Sequence, residues 1–337
     1  MHAISVVIPA YNAADFLEHS LPPLIAMREQ GEVAEVMVVD DCSTDPAGRD
    51  FAERLGAQVI VMEHNGGPGG ARNRGAQQAK GDILWFVDAD VVAPANGPAC
   101  IRAVFEDPEV WALFGSYDCN PPARNFASQY KNLVHRYYHQ RARAEASTFW
   151  AACGAVRRQQ FLAVGGFDHV TYDRPSIEDI ELGRRMRDAG GGIRLERGLE
   201  CTHLKRWSLT TLMRTDIYQR ALPWSRLLLS RPGKLDDLNI SSAEKVRALL
   251  AALWAMSLLC LPVSSFHPAA LAAALTASLA VAAASAPLFW YFARLRGVGF
   301  AILGVLYHQV YYLYSLAAYG WCVLERATGR MRAPRTP

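Results

Sequence analysis

Four short apolar runs, separated by helix-like stretches, set the tightest limit on what the first ninety residues can form. Residues 4–8 are apolar and β-branched, the pattern of a strand buried on both faces. Pro9 and Asn12 mark a turn. Residues 15–27 then read as a helix with Phe16, Leu17, Leu21, Leu24 and Ile25 on its apolar face. A second strand, 36–39, ends in Asp40-Asp41, residues 47–55 are helical, and 59–62 form a third strand. A glycine-rich turn, 64–70, leads into a helix through about residue 80, and residues 83–87 are a fourth strand ending at Asp88. Such alternation builds a mostly parallel sheet with helices on both faces. Ligands of such sheets gather at the carboxyl ends of the strands. Asp41, Asp88 and Asp90 fall at or just past such ends. Beyond residue 90 the pattern loosens. Residues 110–117 and 148–156 are further strand candidates, and 177–188 is a helix ended by Gly190-Gly191-Gly192.

The rest of the chain obeys a different rule. Overall it has 337 residues, 51% hydrophobic and 20% charged, with a formal net charge of +3. That balance excludes a disordered tail protein and a nucleic-acid binder. The average hides a split. From Glu244 onward there are 8 Lys and Arg against 2 Asp and Glu, a net of +6, which leaves −3 for residues 1–243. Seven cysteines, at 42, 100, 119, 153, 201, 260 and 322, form no C-x-x-C and no zinc spacing, so reduced thiols facing the cytosol are expected. Met1-His2-Ala3 runs straight into the first strand, without the basic and apolar regions of a cleavable signal peptide.

Residues 205–234 hold seven basic residues and one acid, Asp216, interleaved with Leu209, Leu212, Met213, Ile217, Leu222, Trp224, Leu227 and Leu228. This reads as basic amphipathic helix on a membrane surface; an ordinary docked surface helix is the alternative. Three apolar segments follow, at about 248–265, 269–293 and 300–324. The second has 25 residues without a charge, long enough to span a bilayer. The first two make a hairpin whose basic ends, Lys245/Arg247 and Arg294/Arg296, lie on one side, which fits a cytosolic N-terminal region. The third contains His308, Gln309 and five tyrosines. If it spans, it sends Arg326, Arg330, Arg332 and Arg335 outside, against that rule. Three spans in a region of 244–325, followed by a basic tail at 326–337, are expected, with two spans as the alternative.

Asp88-Ala89-Asp90 follows the fourth strand. Two carboxylates beyond a strand end can hold a hard divalent cation that grips a diphosphate. Alone, such a pair is as well read as a solvated loop. It stands in an ordered series, however. Ser5-Val6-Val7-Ile8-Pro9-Ala10-Tyr11-Asn12 opens the chain, and Val38-Val39-Asp40-Asp41-Cys42-Ser43-Thr44-Asp45 follows. Then come Gly69-Gly70-Ala71-Arg72-Asn73-Arg74-Gly75, Phe86-Val87-Asp88-Ala89-Asp90, Gly165-Gly166-Phe167-Asp168 and Ile177-Glu178-Asp179-Ile180-Glu181-Leu182. From residue 3 to about 225 this set strongly resembles the family 2 glycosyltransferases, which have the GT-A fold.

The resemblance implies an α/β, Rossmann-like nucleotide-sugar domain over 1–235 and a set of roles. Pro9, Tyr11 and Asp41 would line the base and ribose pocket, with Tyr11 stacking and Asp41 accepting a hydrogen bond. Arg72 would lie near the base or diphosphate; read alone it is equally a helix-surface arginine. Asp90 would be the more direct ligand of Mn²⁺ or Mg²⁺ and Asp88 would sit closer to the ribose, while His203 would bind metal or diphosphate. Asp179 aligns with the catalytic base that removes the acceptor's proton during inverting transfer. Glu178 faces another way on the same helix and is placed on the acceptor side with Trp150, beside Gly154, and Asp168. Without the resemblance, Glu178 and Asp179 read as a solvated pair favoured by the helix dipole.

Two patterns are missing. The Q-x-x-R-W of processive members has no match in Gln219-Arg220-Ala221-Leu222-Pro223-Trp224, so transfer of a single sugar is expected. Gly66-Gly67-Pro68-Gly69-Gly70 does not match G-x-G-x-x-G and follows the third strand, not the first, which removes the dehydrogenase reading. The expected protein is a multi-pass enzyme of the inner or plasma membrane with a cytoplasmic catalytic domain. It would move one sugar from a UDP-, GDP- or dTDP-sugar to a hydroxyl of a lipid or lipid-linked acceptor. A polyprenyl-phosphate sugar synthase and a non-catalytic nucleotide-sugar-binding membrane protein are the alternatives.

Overall fold

The computed structural model describes residues 2–230, 241–262 and 267–331. They form two compact units, one ending at Trp207 and one beginning at Ser208. In the first, β1 (Ile4–Ala10), α1 (Ala14–Glu29), β2 (Glu35–Asp40), α2 (Ala47–Arg54), β3 (Gln58–Val61), α3 (Gly67–Gln78) and β4 (Ile83–Val87) follow one another as the alternation requires. After them come β5 (Val91–Val92), α4 (Gly97–Val104), β6 (Val110–Tyr117), α5 (Phe126–Arg141), β7 (Cys153–Arg157), α6 (Arg158–Ala163), α7 (Glu178–Asp188) and β8 (Gly192–His203).

The strand order is β3-β2-β1-β4-β7-β6-β8-β5. The first four strands are parallel. β7 reverses direction and pairs antiparallel with both β4 and β6. β6 and β8 are parallel again, and β5 closes the far edge antiparallel to β8. The sheet is therefore α/β and mixed. Its parallel half is the part with strand-helix alternation, and the reversal falls where that pattern loosens.

Period-2 alternation assigns each strand residue to a face. Val6, Ile8 and Trp85 pack with Leu17, Leu21 and Leu24 of α1 on one side. Val7, Val39 and Phe86 pack with Phe161 and Phe167 on the other. Phe86, Phe161 and Phe167 form a triangle with all three centroid separations at 5.4 Å. α3 lies close on this second face because Gly75 has no side chain; a Cβ there would stand 2.4 Å from Val7 Cγ1. Gly75→Val is therefore expected to destabilise the protein by about 1–3 kcal/mol, as overpacking does. Gly198→Ala, whose added Cβ meets only Glu196 Oε1 at 3.4 Å, serves as the near-neutral control. Thermal or urea unfolding of the two variants checks the difference.

Several elements depart from the sequence reading. The glycine turn is shorter than expected, since α3 already begins at Gly67. The candidate strand at 148–156 begins only at Cys153, because the chain before it folds back over Gly154, where a Cβ would lie 2.3 Å from the Trp150 carbonyl oxygen. α5 and β8 were not foreseen. α5 buries Gln129, Asn132 and His139 beside Ala127, Tyr130, Leu133 and Tyr137, so its buried face mixes polar and apolar side chains. Gln129 Nε2 donates to the Ala123 carbonyl at 2.8 Å and Asn132 Nδ2 to the Asp118 carbonyl at 2.7 Å. In β8, Arg194, Glu196, Arg197 and Glu200 interrupt the apolar residues.

The second unit is helical. The basic stretch forms α8 (Leu209–Thr215), a π-helical segment (Asp216–Ala221) and α9 (Leu222–Ser230); its end, residues 231–235, lies outside the described residues. α10 (Ser242–Leu259), α11 (Pro268–Arg296) and α12 (Val298–Ala327) correspond to the three apolar segments. The last part of the first segment, 263–265, and tail residues 332–337 are also outside the described residues. Among the described residues, one helix, α11, is long and apolar enough to cross a membrane. Its 29 residues correspond to about 44 Å at 1.5 Å per residue. α10 carries Glu244, Lys245 and Arg247 near its start, and α12 carries His308, Gln309 and its tyrosines.

These three helices bury polar side chains among apolar ones such as Leu288 and Phe292 and expose long apolar side chains. Glu244, Ser285, His308 and Gln309 are buried, whereas Leu249, Leu253, Met256, Leu275, Leu279, Leu303 and Leu306 are exposed. The buried polar groups bond one another across helices. Tyr312 Oη donates to Glu244 at 2.5 Å, Gln309 Nε2 to Ser285 Oγ at 3.3 Å and Arg247 Nε to the Ala284 carbonyl at 3.2 Å. Trp254 Nε1 donates to Ser278 Oγ at 3.0 Å.

Candidate active site

The carboxyl ends of β1 and β2 form the first wall of the site. Asn12 and Cys42, which follow these strands, adopt left-handed backbone with φ of 48° and 62°. Asn12 then clips the two loops together. Its amide donates to Ser43 Oγ at 2.9 Å, and its Oδ1 accepts from the Thr44 amide at 3.0 Å. Pro9 is half-buried opposite Val39, and Tyr11 is 51% exposed with its ring open to solvent. Asp41 is buried, and its Oδ1 accepts from the Gly66 amide at 2.7 Å. Burial pushes this carboxyl above its ordinary range, against the pull of the Gly66 and Gly67 amides. An open ring and a desolvated acceptor at neighbouring strand ends suit a flat heterocycle with N–H donors.

The Asp88-Ala89-Asp90 loop is tied at each residue. The Asp88 amide donates to the Ala152 carbonyl at 3.1 Å, and the Val91 amide returns to the Asp88 carbonyl at 2.9 Å. Ser20 Oγ, on the buried face of α1, donates to the Ala89 carbonyl at 2.7 Å. The Leu204 amide donates to the Asp90 carbonyl at 2.8 Å. Pairing of β5 with β8, Val91 opposite His203, brings Asp90 Oδ2 within 3.6 Å of His203 Nε2. Burial opposes the charge on Asp90, but His203 and then Lys205 outweigh it and hold the carboxyl below its ordinary range. The His203 ring stacks on Tyr117, with centroids 4.4 Å apart and planes at 13°. Trp150 meets Tyr117 edge-on at 4.9 Å and lies 4.5 Å from the His135 ring, half-buried in this aromatic group.

Asp88 points elsewhere. Its Oδ1 accepts from Arg72 Nη2 at 2.5 Å, and Arg72 Nη1 donates to Glu178 Oε1 at 3.3 Å. Arg72 is buried, with its guanidinium carbon 5.3 Å from the Phe167 ring centroid. Burial works against its charge, but Asp88 and Glu178 more than compensate and hold it above its ordinary range. Glu178 is buried as well, and its Oε2 accepts from the Ser176 amide at 2.8 Å. Asp179, next along α7, accepts from the Ala151 amide at 3.2 Å. α7 approaches this segment closely because Gly183 lies against Phe149; a Cβ there would be 2.3 Å from its amide nitrogen. Asp168 is set apart, and its Oδ1 accepts from the Thr171 amide at 2.9 Å in a local turn.

The structure thus joins Asp90 with His203, and Arg72 with Asp88 and Glu178. No group of three His, Cys, Asp or Glu side chains suited to a metal ion exists among the described residues. A carboxylate oxygen and an imidazole nitrogen facing each other at 3.6 Å are nevertheless donors that a divalent ion accepts when ligand oxygens complete its shell. Sequence reasoning missed Ser20, Tyr117 and Asn73. Asn73 Nδ2 donates to the Phe167 carbonyl and its Oδ1 accepts from the Phe167 amide, both at 2.8 Å. Ser20 left a signal as a polar residue within the apolar stripe of α1, and Asn73 as a member of the motif at 69–75.

Residues 5–165 match the family model described as Glycosyl transferase family 2. A poly(ribitol-phosphate) beta-N-acetylglucosaminyltransferase of Staphylococcus aureus is 37% identical over 94 residues, 27% of this chain and 16% of that protein. A validoxylamine A glucosyltransferase of Streptomyces hygroscopicus is 29% identical over 240 residues, 59% of this chain and 56% of that protein. Both alignments span less than two thirds of the relative's length. Among solved structures, a mannosyltransferase from Pyrobaculum calidifontis in complex with GDP-Man and Mn²⁺ has a TM-score of 0.55 at 20% identity, covering 95% of this chain and 87% of that one. Glucosyl-3-phosphoglycerate synthase from Mycobacterium tuberculosis, in complex with Mn²⁺ and UDP-glucose, has a TM-score of 0.50 at 20% identity, covering 69% of this chain and 81% of that one. These two share the fold.

Proposed function

Because the chain belongs to glycosyltransferase family 2 through residues 5–165, we propose that it moves one sugar, with inversion, from a nucleotide-sugar donor to a hydroxyl of a lipid or lipid-linked acceptor. One observation carries this reading. The Asp88 amide binds the Ala152 carbonyl, and Asp179 accepts from the amide one residue earlier, Ala151. The acidic loop and a helix-borne carboxylate are thereby fixed to the same dipeptide.

Pro9, Tyr11 and Asp41 hold the base and ribose. Asp88 lies towards the ribose, with Arg72 beside it. Asp90 and His203 hold Mn²⁺ or Mg²⁺, in line with the Mn²⁺ present in both structural neighbours. When bound, the cation offsets the negative charge gathering on the leaving nucleoside diphosphate. Asp179 accepts the acceptor hydroxyl's proton as its oxygen bonds to the anomeric carbon. The bond from that carbon to the diphosphate oxygen breaks, and its electron pair leaves with the diphosphate. Trp150 and Asp168 belong to the acceptor side, Trp150 as an apolar surface and Asp168 through the turn it stabilises.

The test is a donor screen on the detergent-solubilised full chain. UDP-, GDP- and dTDP-sugars are offered with Mn²⁺, Mg²⁺ or EDTA, and nucleoside diphosphate release is measured. One donor turned over only with metal is expected. No metal-dependent response to any donor would favour a domain that binds nucleotide sugars without catalysis.

The lipid acceptor and a multi-pass position, with the first unit cytoplasmic, are part of the same proposal. Exposed leucines over buried, mutually bonded polar groups are the arrangement that hydrocarbon surroundings favour. The second unit presents that pattern on α10 and α12 as well as α11. The full chain is expected to stay with the membrane pellet after alkaline carbonate washing and to be released by detergent. Release by carbonate alone would leave a surface-bound or soluble enzyme.

A further inference from the structure

The buried charges beside the acidic loop form a closed circuit. Asp88 bonds Arg72 at 2.5 Å, and Arg72 bonds Glu178 at 3.3 Å. Glu178 precedes Asp179 in the first turn of α7. Asp179 accepts from the Ala151 amide at 3.2 Å, and the Ala152 carbonyl returns to the Asp88 amide at 3.1 Å. Two independent links therefore join Asp88 to Asp179, one through side chains and one through backbone. We infer that Arg72 and Glu178 are a positioning pair that sets the place of Asp179 relative to the donor-binding loop.

Three features favour this over a direct donor or acceptor contact. First, Arg72 and Glu178 are 4% and 5% exposed, so neither offers a free charged end to a substrate. Second, the supports of the pair are all internal. Glu178 Oε2 is held by the Ser176 amide, and Arg72 lies over Phe167, which Asn73 fixes through both backbone groups. Third, a guanidinium holds two carboxylates in fixed directions through its planar fork, a geometry that a lysine's compact ammonium does not impose. A buried ion group of this kind adds little net stability when complete, but removing one member is costly. Its value here is geometric, because a carboxylate acting on a hydroxyl must stay within hydrogen-bond reach of it.

This inference rests on the proposed transferase reading, and its test separates the two. The full chain and the variants Glu178→Gln, Arg72→Met and the double variant are compared with the donor that the unaltered protein turns over. Calorimetry gives donor Kd, and nucleoside diphosphate release gives kcat. Each single variant is expected to lose on the order of 10²-fold in kcat, as a small misplacement of a reacting group does. Donor Kd stays within about threefold, since the pair does not touch the donor. The double variant is expected to lose no more than the worse single variant, because the two act as one unit.

Losses that multiply in the double variant would overturn the inference. So would a donor Kd that weakens in step with kcat, which would mean that Arg72 holds the donor itself. Unchanged kcat in Glu178→Gln would overturn it too. That variant is isosteric and keeps an oxygen for the Ser176 amide, and donor binding reports its fold. If Arg72→Met shows no cooperative thermal unfolding, Arg72→Lys replaces it; the lysine keeps the charge but not the rigid fork geometry. Unaltered protein that is inert towards every donor overturns the functional reading itself, a separate outcome.

Discussion

Asp179→Asn is expected to lower kcat by about 10²- to 10⁴-fold, the range that a positioned general base supplies. The asparagine retains an oxygen for the Ala151 amide, which Asp179 accepts at 3.2 Å, so donor Kd and thermal midpoint should stay near those of the unaltered protein. The loss then falls on the chemical step. This variant also identifies the acceptor group. A hydroxyl must shed its proton as it attacks, whereas a polyprenyl phosphate is already ionised and needs no base. Substantial activity in Asp179→Asn would therefore assign the chain to polyprenyl-phosphate sugar synthesis and sink the hydroxyl reading.

Asp90→Ala is expected to abolish metal-dependent donor turnover, with a loss of about 10²- to 10³-fold or more, comparable to removing a principal electrostatic stabiliser. His203→Ala should weaken Mn²⁺ binding by about 10- to 100-fold, the cost common for a perturbed ligand set. Both are read by electron paramagnetic resonance of free Mn²⁺, titrated in the presence of UDP or GDP. That readout does not depend on finding the acceptor. Asp90 faces His203 at 3.6 Å while Asp88 is engaged by Arg72 at 2.5 Å, so the two carboxylates of the loop should behave differently. If Asp90→Ala binds Mn²⁺ as well as the unaltered protein does, the proposed metal site is wrong.

The parallel half of the sheet was legible because its strands are continuous apolar runs. The sequence of 83–87 needed no tertiary context to be read, and β4 occupies those same residues. The second half was harder for a definite reason. α5 is held in part by buried amides such as Asn132 and by close, tilted rings such as His135 and His139, with centroids 3.8 Å apart. Hydrophobic periodicity does not register such contacts. The candidate site divides in the same way. Asp41, Asp88 and Asp90 announce themselves by following apolar strands. The partnership of Arg72 with Glu178 spans 106 positions, and only the fold brings the two together. The apolar tail was legible as helix, but which of its polar side chains are buried was not, since burial of Gln309 against Ser285 depends on how the helices face one another.

The order of the two units along the chain has a consequence for synthesis. The first unit buries its own apolar faces in its own core clusters, and domains generally fold as units in the order they are made, so its folding can precede the residues beyond Trp207. The helices with exposed leucines emerge afterwards. If those helices insert into a bilayer, they do so after the first unit has been made. Folding order would then follow chain order, the sheet before the helices, independently of any balance of positive charges.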